Sequence, residues 1–157
     1  MKRTSLDHLD CSIARALDVI GEWWTLLVIR DITFGNRRFD GIQANLGVAR
    51  NVLADRLATL VDRGVLERRR YQEHPERYEY VLTDMGRDLY PVLLTLMAWG
   101  DKYLSPDGPP GIVRHTACDH DTSPALVCTH CGEPLGNREI RVRPGPGWTR
   151  PGAAEAV

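Results

Sequence analysis

The sequence lacks several features that would assign it to a large class of proteins. Its 20 Lys and Arg residues are balanced by 21 Asp and Glu residues, so no overall basic excess points to a nucleic-acid partner. No apolar run approaches the length of a membrane span, and the N-terminal stretch has no apolar signal-peptide core. We therefore expect a cytoplasmic protein without membrane contact.

Signatures of catalysis are also missing. The chain has no Gly-rich nucleotide loop and no defensible constellation of His, Asp and Ser residues, so we expect that it is not an enzyme. Four cysteines without an export signal favour reduced thiols, metal ligands or redox sensing over a disulfide framework. The 157 residues suffice for one ordinary domain with a small appendage.

Positive charge is concentrated in one part of the chain. Between Arg37 and Arg70, eight arginines stand against four acidic residues, a local excess of four positive charges that includes no lysine. The planar guanidinium group suits paired hydrogen bonds to phosphate or guanine. A solvated charged face is the alternative that charge alone leaves open.

Apolar spacing predicts two helices before this basic block. Between Cys11 and Ile20, apolar residues recur at helical intervals. The stretch EWWTLLVIRDITFG follows and is apolar nearly all round, which predicts a buried central helix. Both tryptophans of that stretch, Trp23 and Trp24, are expected in the core.

Two further helical patterns flank a glycine. Phe39, Ile42 and Leu46 mark the first pattern, and an apolar stripe over residues 52–61 marks the second, which Gly64 ends. Two short helices joined by a tight turn are typical of a helix-turn-helix. An ordinary helical hairpin is the alternative.

A hairpin is predicted after these helices. Residues 66–71 and 77–82 form two strand-like runs joined by the turn-forming QEHPE. Helix, turn, helix and hairpin together predict a winged helix, and so an α+β fold that is mainly α. The wing, residues 66–82, carries its basic side chains where a wing approaches the DNA backbone; they are Arg68, Arg69, Arg70, His74 and Arg77.

One more apolar helix is predicted after the wing. Thr83 or Asp84 supplies its N-cap, and Pro91 should kink it or lie in its first turn. A small winged domain has little core surface against which this helix could bury its apolar side chains. A dimer interface is therefore the simplest interpretation. Packing within one chain is the alternative. The predicted DNA-binding and dimerisation domain therefore spans residues 1–104.

Composition divides the remainder of the chain into three segments. SPDGPPG predicts a linker over residues 105–112, and the Pro- and Gly-rich residues 144–157 predict a flexible tail. Between them, at 113–143, two ligand pairs with two intervening residues fit a closed tetrahedral zinc site of structural type. A segment this short and polar has too little apolar surface to fold by hydrophobic burial alone. The predicted ligands are His115, Cys118, Cys128 and Cys131.

Alternatives to this zinc-ribbon-like appendage remain. Cys128 and Cys131 could form a redox dithiol, or the segment could be disordered. His120 and His130 are spare ligands that could replace His115. A zinc-ribbon-bearing protein–protein interaction module is accordingly the second functional hypothesis.

Seven sequence blocks between Cys11 and Gly100 carry a family resemblance. In chain order they read CSIARALDVIG, WTLLVIRD, RRFDGI, VLADRLATL, GVLER, YEYVLTDMG and PVLLTLMAWG. In this order they resemble the HxlR-type winged helix-turn-helix transcriptional regulators of bacteria. The resemblance implies a homodimer with N- and C-terminal dimerisation helices. Each protomer would place its recognition helix in a major groove of a pseudo-palindromic double-stranded operator.

Carried over to this chain, the resemblance makes about residues 49–63 the recognition helix. Arg50 and Asn51, at its N-terminal end, are expected to read guanine and adenine edges. Arg56 lies nearer the apolar stripe, so it forms a salt bridge or reaches a phosphate. The residues expected at the DNA are Arg37, Arg38, Arg50, Asn51, Asp55, Arg56, Arg68, Arg70, His74 and Arg77.

Two positions, Ala49 and Asp55, depart from the family's pattern, and Cys11 agrees with it. The family commonly has serine where Ala49 stands, and Ala49 cannot cap the helix through its side chain. Asp55 replaces a long polar residue; it would repel phosphate but could accept from cytosine N4. Cys11 stands where several members sense electrophiles or oxidants, and a helix N-terminus favours a thiolate there. A small buried hydrophobic side chain is the alternative for Cys11.

Overall fold

The computed structural model describes residues 6, 8–136 and 138–148. Over these residues the chain forms six helices and two small antiparallel sheets. In chain order the elements are α1 Ser12–Ile20, α2 Trp23–Thr33, α3 Phe39–Leu46, α4 Arg50–Asp62, β1 Leu66–Gln72, β2 Arg77–Leu82, α5 Asp84–Arg87, α6 Tyr90–Leu104, β3 Val113–His115 and β4 His120–Thr122.

The core lies between α2, α3, α4 and the base of the β1–β2 hairpin. α2 contacts α3, α4, α6 and β2, which makes it the central helix that the sequence predicts. A fully buried aliphatic side chain contributes about 1.5–3 kcal/mol to folding. The fully buried side chains of this core are Val28, Ile29, Ile42, Leu53, Leu57, Leu60, Val65 and Leu66.

α3 and α4 form the predicted helix-turn-helix. α3 ends at Leu46, and Gly47 follows with a φ of 63°, a left-handed conformation that favours glycine. α4 begins one residue later than predicted and ends one residue earlier. Ala49 is its N-cap and provides no side-chain hydrogen bond, as expected. The turn therefore rests on the conformation of Gly47 and on the buried side chain of Val48.

The wing also forms as predicted. β1 and β2 pair from Leu66 opposite Leu82 to Gln72 opposite Arg77. The segment before α3 lies along β2, since the Tyr80 N–H donates to the Arg37 carbonyl at 2.8 Å and residues 38 and 79 form a β-bridge. This edge contact fixes the segment that carries two of the predicted DNA-binding arginines.

The helix predicted from Thr83 is two helices. Thr83 caps the four-residue α5, and its Oγ1 accepts a hydrogen bond from the Gly86 N–H at 3.2 Å. α6 begins at Tyr90 with Pro91 in its first turn, so the proline starts a helix and does not kink one. Gly86 allows α5 to lie close to the wing base, where an added methyl group would overlap the Val65 carbonyl oxygen.

The prediction that both tryptophans of α2 lie in the core is wrong for Trp23. Its side chain is 90% exposed, whereas Trp24 packs against the core. The buried face of α2 is set by Thr25, Val28 and Ile32, and the first residue of the helix points away from it. A helix that is apolar nearly all round does not reveal its inward face by periodicity.

Two helices expose apolar side chains on the surface. No residue of α6 is buried, and Trp99 and Tyr103 are 54% and 60% exposed. α1 exposes Ile13 and Leu17 at 70% and 42%. Apolar side chains exposed together on a helix are common at interaction sites. No helix in the described part of the chain is both long and apolar enough to cross a membrane.

The C-terminal segment forms little regular structure. Residues 105–112 contain no helix or strand, and β3 pairs with β4 from Val113 opposite Thr122 to His115 opposite His120. A single bridge joins Val127 to Pro134. None of residues 113–136 is buried. Of the predicted tail, residues 149–157 lie outside the described residues.

Candidate nucleic-acid interface

The helix-turn-helix and the wing enclose a concave surface lined by arginines. It is formed by the segment before α3, the first residues of α3, the start of α4 and one side of the wing. Its volume is about 910 Å³. The structure thus brings together five of the residues that the sequence assigns to DNA, and we call these five the concavity arginines: Arg37, Arg38, Arg50, Arg68 and Arg77.

Three of the concavity arginines stack on aromatic rings for which the sequence predicted no contact with arginine. The attraction of a guanidinium group to a ring face orders a long side chain and leaves the N–H groups at its rim for acceptors. The distances from the guanidinium carbon to the ring centroid are 4.4 Å for Arg38 on Tyr71, 4.7 Å for Arg50 on Phe39 and 3.6 Å for Arg68 on Tyr78.

An acidic residue offsets part of this charge at the start of α4. Arg50 Nη1 lies 3.5 Å from Asp40 Oδ1, and the two side chains are 72% and 88% exposed. An ion pair so exposed contributes only about 0–1 kcal/mol. A phosphate or a guanine can therefore replace Asp40 as the partner of Arg50 at little cost.

The outer surface of α4 presents Asn51 and Asp55 beside Arg50, as predicted. Arg56 differs, because its side chain is only 21% exposed. Its Nη1 lies 3.9 Å from Glu22 Oε1, and its Nη2 lies 3.5 Å from Asp55 Oδ2. Of the two roles that the sequence leaves open for Arg56, the structure favours the salt bridge over a phosphate contact.

Acidic side chains pair with Arg70 at the tip of the wing. Arg70 lies 3.2 Å from a carboxylate oxygen of Glu73 and 3.4 Å from one of Glu76, and all three side chains are exposed. The Tyr78 hydroxyl donates to Glu76 at 2.8 Å, which raises the pKa of Tyr78 above its ordinary value. His74 is exposed in the turn. The two predicted contacts Arg70 and His74 are not among the residues that line the concavity.

A buried carboxylate that the sequence analysis missed positions the segment before α3. Asp31 is 3% exposed; its Oδ1 accepts from Arg30 at 2.7 Å, and its Oδ2 accepts from Asn45 at 2.8 Å and Asn36 at 3.2 Å. The Asn36 N–H also donates to the Asp31 carbonyl at 3.0 Å. Asp31 thereby ties the segment preceding Arg37 to α2 and α3. The sequence signal that could have indicated this role is the presence of an acidic residue within the otherwise apolar stretch of α2.

The predicted metal ligands form two pairs. His115 Nδ1 lies 3.2 Å from Cys118 Sγ. In the second pair, the N–H groups of Cys131 and His130 donate to the Cys128 sulfur and lower the pKa of that thiol. Within the described ranges, no group of three or more His, Cys, Asp or Glu side chains could hold a metal ion. The structure joins the members of each pair and leaves the two pairs separate.

Cys11 is the N-cap residue of α1. It is exposed, and its carbonyl accepts a hydrogen bond from the Arg15 N–H at 3.1 Å. All four cysteines fall within the described residues, and all are free thiols. The alternative that Cys11 is a small buried side chain is therefore wrong.

Comparison with known proteins matches residues 19–108 to the model of the HxlR-like helix-turn-helix family. An HTH-type transcriptional regulator of Mycobacterium tuberculosis is 48% identical over 138 residues, 87% of each chain. PA1607, a proposed transcription factor of known crystal structure, has a TM-score of 0.80 and 37% identity, over 89% of this chain and 99% of its own. The reduced transcriptional regulator YodB from Bacillus subtilis has a TM-score of 0.53 and 29% identity, over 62% and 98%.

Proposed function

Because the chain belongs to the HxlR-like helix-turn-helix family of transcriptional regulators, we propose that it binds a pseudo-palindromic DNA operator as a homodimer. The observation that carries this proposal is the arginine-lined concavity beside the start of α4. α4 has 13 residues and is therefore about 20 Å long. A helix of this kind fits the major groove of B-DNA, which is about 12 Å wide.

The two parts of the surface have different tasks in this proposal. Arg50 and Asn51 lie at the N-terminal end of α4 and read base edges, and Asp55 accepts from cytosine N4. The remaining concavity arginines bind phosphates, which sets the register and orientation of the protein without reading the sequence. Stacking on Tyr71 and Tyr78 supports this role, because the arginines need little reordering when DNA arrives.

The homodimer in this proposal forms through α1 and α6. Ile13 and Leu17 on α1, with Trp99 and Tyr103 on α6, provide exposed apolar area that one protomer leaves uncovered. The rings of Trp99 and Tyr103 lie 5.7 Å apart, so they form one aromatic patch. Two-fold pairing of such a surface places the two α4 helices symmetrically, and a symmetric dimer requires two matching half-sites.

The dependence of binding on salt tests this proposal. If Arg37, Arg38, Arg68 and Arg77 each bind a phosphate in both protomers, the eight contacts predict a slope of about −7 in a plot of log Kobs against log salt concentration. Fluorescence anisotropy with the upstream fragment of the protein's own gene measures this slope, and a shuffled fragment is the control. Binding that is flat with salt and equal for both fragments would favour the protein–protein interaction module.

Cys11 is the proposed site at which an electrophile or another small-molecule effector acts. Its exposure at the start of α1 supports this role, as does the position of α1 in the proposed dimer surface. An adduct at this thiol would alter how α1 packs against the partner. For YodB, a structure after diamide treatment accompanies the reduced one; the thiol chemistry of this chain is a separate proposal.

Alkylation of Cys11 is expected to release the protein from DNA. N-ethylmaleimide adds the sulfur and the thiol proton across its double bond, and we expect anisotropy to show a loss of affinity in the wild type. Cys11→Ser should bind DNA as the wild type does and resist the reagent. Cys128→Ser is the control for the other thiols: because it keeps Cys11, the reagent should still release it from DNA. Release that persists in Cys11→Ser would remove this thiol as the sensor.

A further inference from the structure

Two turns in the C-terminal segment share one backbone geometry. In the first turn, the Asp119 N–H donates to the His115 carbonyl at 2.8 Å, and Asp119 has a φ of 56°. In the second turn, the Gly132 N–H donates to the Cys128 carbonyl at 2.9 Å, and Gly132 has a φ of 78°. The first and fourth residues of each turn are the residues with ligating side chains, and a left-handed fifth residue ends both turns.

Asp119 holds the first turn in a left-handed backbone conformation that is uncommon for a residue other than glycine. Among the described residues it is the only non-glycine with a positive φ. Such a conformation costs about 1–2 kcal/mol for an ordinary residue, although aspartate tolerates it better than most. Arg114 holds it in place, since its Nε donates to Asp119 Oδ1 at 2.6 Å and its Nη2 donates to the Asp119 carbonyl at 2.8 Å.

Each turn lies at the end of a pair of extended segments. β3 and β4 end at the pair His115 and His120, and the first turn joins them. The second turn follows Val127, which bridges Pro134, and the Leu135 N–H donates to the Leu126 carbonyl at 2.9 Å. Two hairpin-like units therefore each present two ligating side chains at one end.

The first pair is already spaced for a tetrahedral metal. Zinc binds histidine nitrogen at about 2.0–2.1 Å and thiolate sulfur at about 2.3 Å, so the N···S separation at a tetrahedral centre is roughly 3.6 Å. His115 Nδ1 and Cys118 Sγ are 3.2 Å apart. A widening of a few tenths of an ångström would admit the ion between them.

Neither hydrophobic burial nor a disulfide stabilises the described part of this segment. No residue from 113 to 136 is buried, so hydrophobic burial contributes little to its folding. Its cysteines are free, so no disulfide closes it. Small segments without a core are commonly stabilised by a structural metal, whose binding energy becomes folding energy.

From these observations we propose that one Zn²⁺ binds His115 Nδ1 and the thiolates of Cys118, Cys128 and Cys131. The three thiols release their protons to solvent as they bind. Because the two pairs are separate in the structure, binding brings the second turn up to the first and closes the two units into one ribbon. This site is independent of the proposed DNA contacts.

The closed ribbon would lie next to α6. β3 and β4 border a cavity of about 360 Å³ whose other wall includes Met97, Asp101 and Lys102 of α6. α6 is also the helix whose exposed apolar side chains are assigned to the dimer. Zinc binding therefore restricts the movement of the segment next to the proposed dimer interface.

Cobalt substitution in the full chain tests the site. Metal-free protein titrated with Co²⁺ is expected to bind about one ion per chain, with the intense visible bands of a tetrahedral site and a thiolate-to-cobalt charge-transfer band. Cys118→Ser and Cys128→Ser should each weaken binding by more than about 100-fold, because even loss of an outer-shell partner costs about 10–100-fold. Elemental analysis of protein purified with zinc should give the same stoichiometry.

Matched variants locate the ligands. Cys11 lies outside the segment, and His130 lies between two ligands without being one of them. The variants Cys11→Ser and His130→Ala should therefore both keep the cobalt spectrum. His115→Ala should lose it. If His115→Ala keeps the four-ligand spectrum and His130→Ala loses it, the assignment of the histidine is wrong.

Three other results would overturn the site. They are no stoichiometric metal, cobalt binding unaffected by Cys118→Ser, and a Cys128–Cys131 disulfide found by mass spectrometry in protein kept under a thiol-free reductant. Far-ultraviolet circular dichroism of each variant checks that the winged domain remains folded. Faster proteolysis of residues 105–143 after chelation is the independent readout that we expect from a structural zinc.

Discussion

Replacing Trp99 with glutamate is expected to convert the protein from a dimer to a monomer. Trp99 is 54% exposed on α6 and contacts Tyr103, so it has the exposure and chemistry of an interface anchor. An anchoring tryptophan contributes about 2–4 kcal/mol to an interface, and a two-fold interface contains it twice. The dimer should thus weaken by about 4 kcal/mol or more, close to a thousandfold.

The same variant should lower the affinity for an operator with two half-sites by about 100-fold or more. A monomer loses the gain that comes from binding two half-sites at once, which is about 10²–10⁴-fold. Affinity for a duplex with one half-site should change little, because the concavity arginines are untouched. Sedimentation velocity measures the oligomeric state, and anisotropy with both duplexes measures the affinities.

Trp148→Glu is the matched control for this experiment. It makes the same substitution at a half-exposed tryptophan of the C-terminal segment, which is not part of α1 or α6. It should leave the dimer and both affinities unchanged. A Trp99→Glu protein that stays dimeric at micromolar concentration would show that another surface forms the dimer.

Arg50→Ala is expected to lower the affinity for the operator and to relax its sequence preference at one position in each half-site. Arg50 lies at the N-terminal end of α4, stacked on Phe39 and held only by an exposed ion pair with Asp40. A bidentate arginine–guanine contact contributes about 1–3 kcal/mol of discrimination against the wrong base. Each half-site should thus lose about 5- to 150-fold in affinity for its preferred sequence.

Arg68→Ala should behave differently, because Arg68 is assigned to a phosphate. It should weaken binding to all duplexes alike and lower the salt slope by about 2, one contact in each protomer. Anisotropy with duplexes substituted at single positions separates these two outcomes. If Arg50→Ala weakens all sequences equally, Arg50 binds a phosphate and another residue reads the bases.

Arg63→Ala is the control for both arginine variants. Arg63 lies at the opposite end of the same helix, about 20 Å from Arg50 along the helix axis, and is exposed. Its loss changes the net charge of the protein by the same amount. Binding by Arg63→Ala close to that of the wild type would show that position matters more than total charge.

Local sequence patterns were sufficient for the helix-turn-helix and the wing. The apolar stripe over residues 52–61 and its flanking glycines predicted the second helix, and the family resemblance placed its ends within one residue of Arg50–Asp62. Each of these elements depends on short-range features, which are helical spacing, β-branched and aromatic runs, and turn residues. The structural comparisons agree with the winged fold to which these elements belong.

These local patterns did not predict which residues each side chain contacts. Arg56 forms ion pairs with its neighbour Asp55 and with Glu22, the N-cap residue of α2, whereas Arg50 remains at the concavity. Asp31 reads as an ordinary acid, and only the approach of Asn36 and Asn45 makes it a positioning residue for the segment before α3. Such roles depend on contacts between residues that are distant along the chain.

The sequence by itself determined the order of the elements, the arginine-rich character of residues 37–70 and the spacing of the C-terminal histidine and cysteines. These are properties of residue type and spacing. Only the tertiary structure decided which arginines share one surface, which rings order them and which face of α2 and α6 is left exposed. The physical reason is that burial and ion pairing depend on distances in space, and the packing of α2 against α3, α4 and the wing sets those distances.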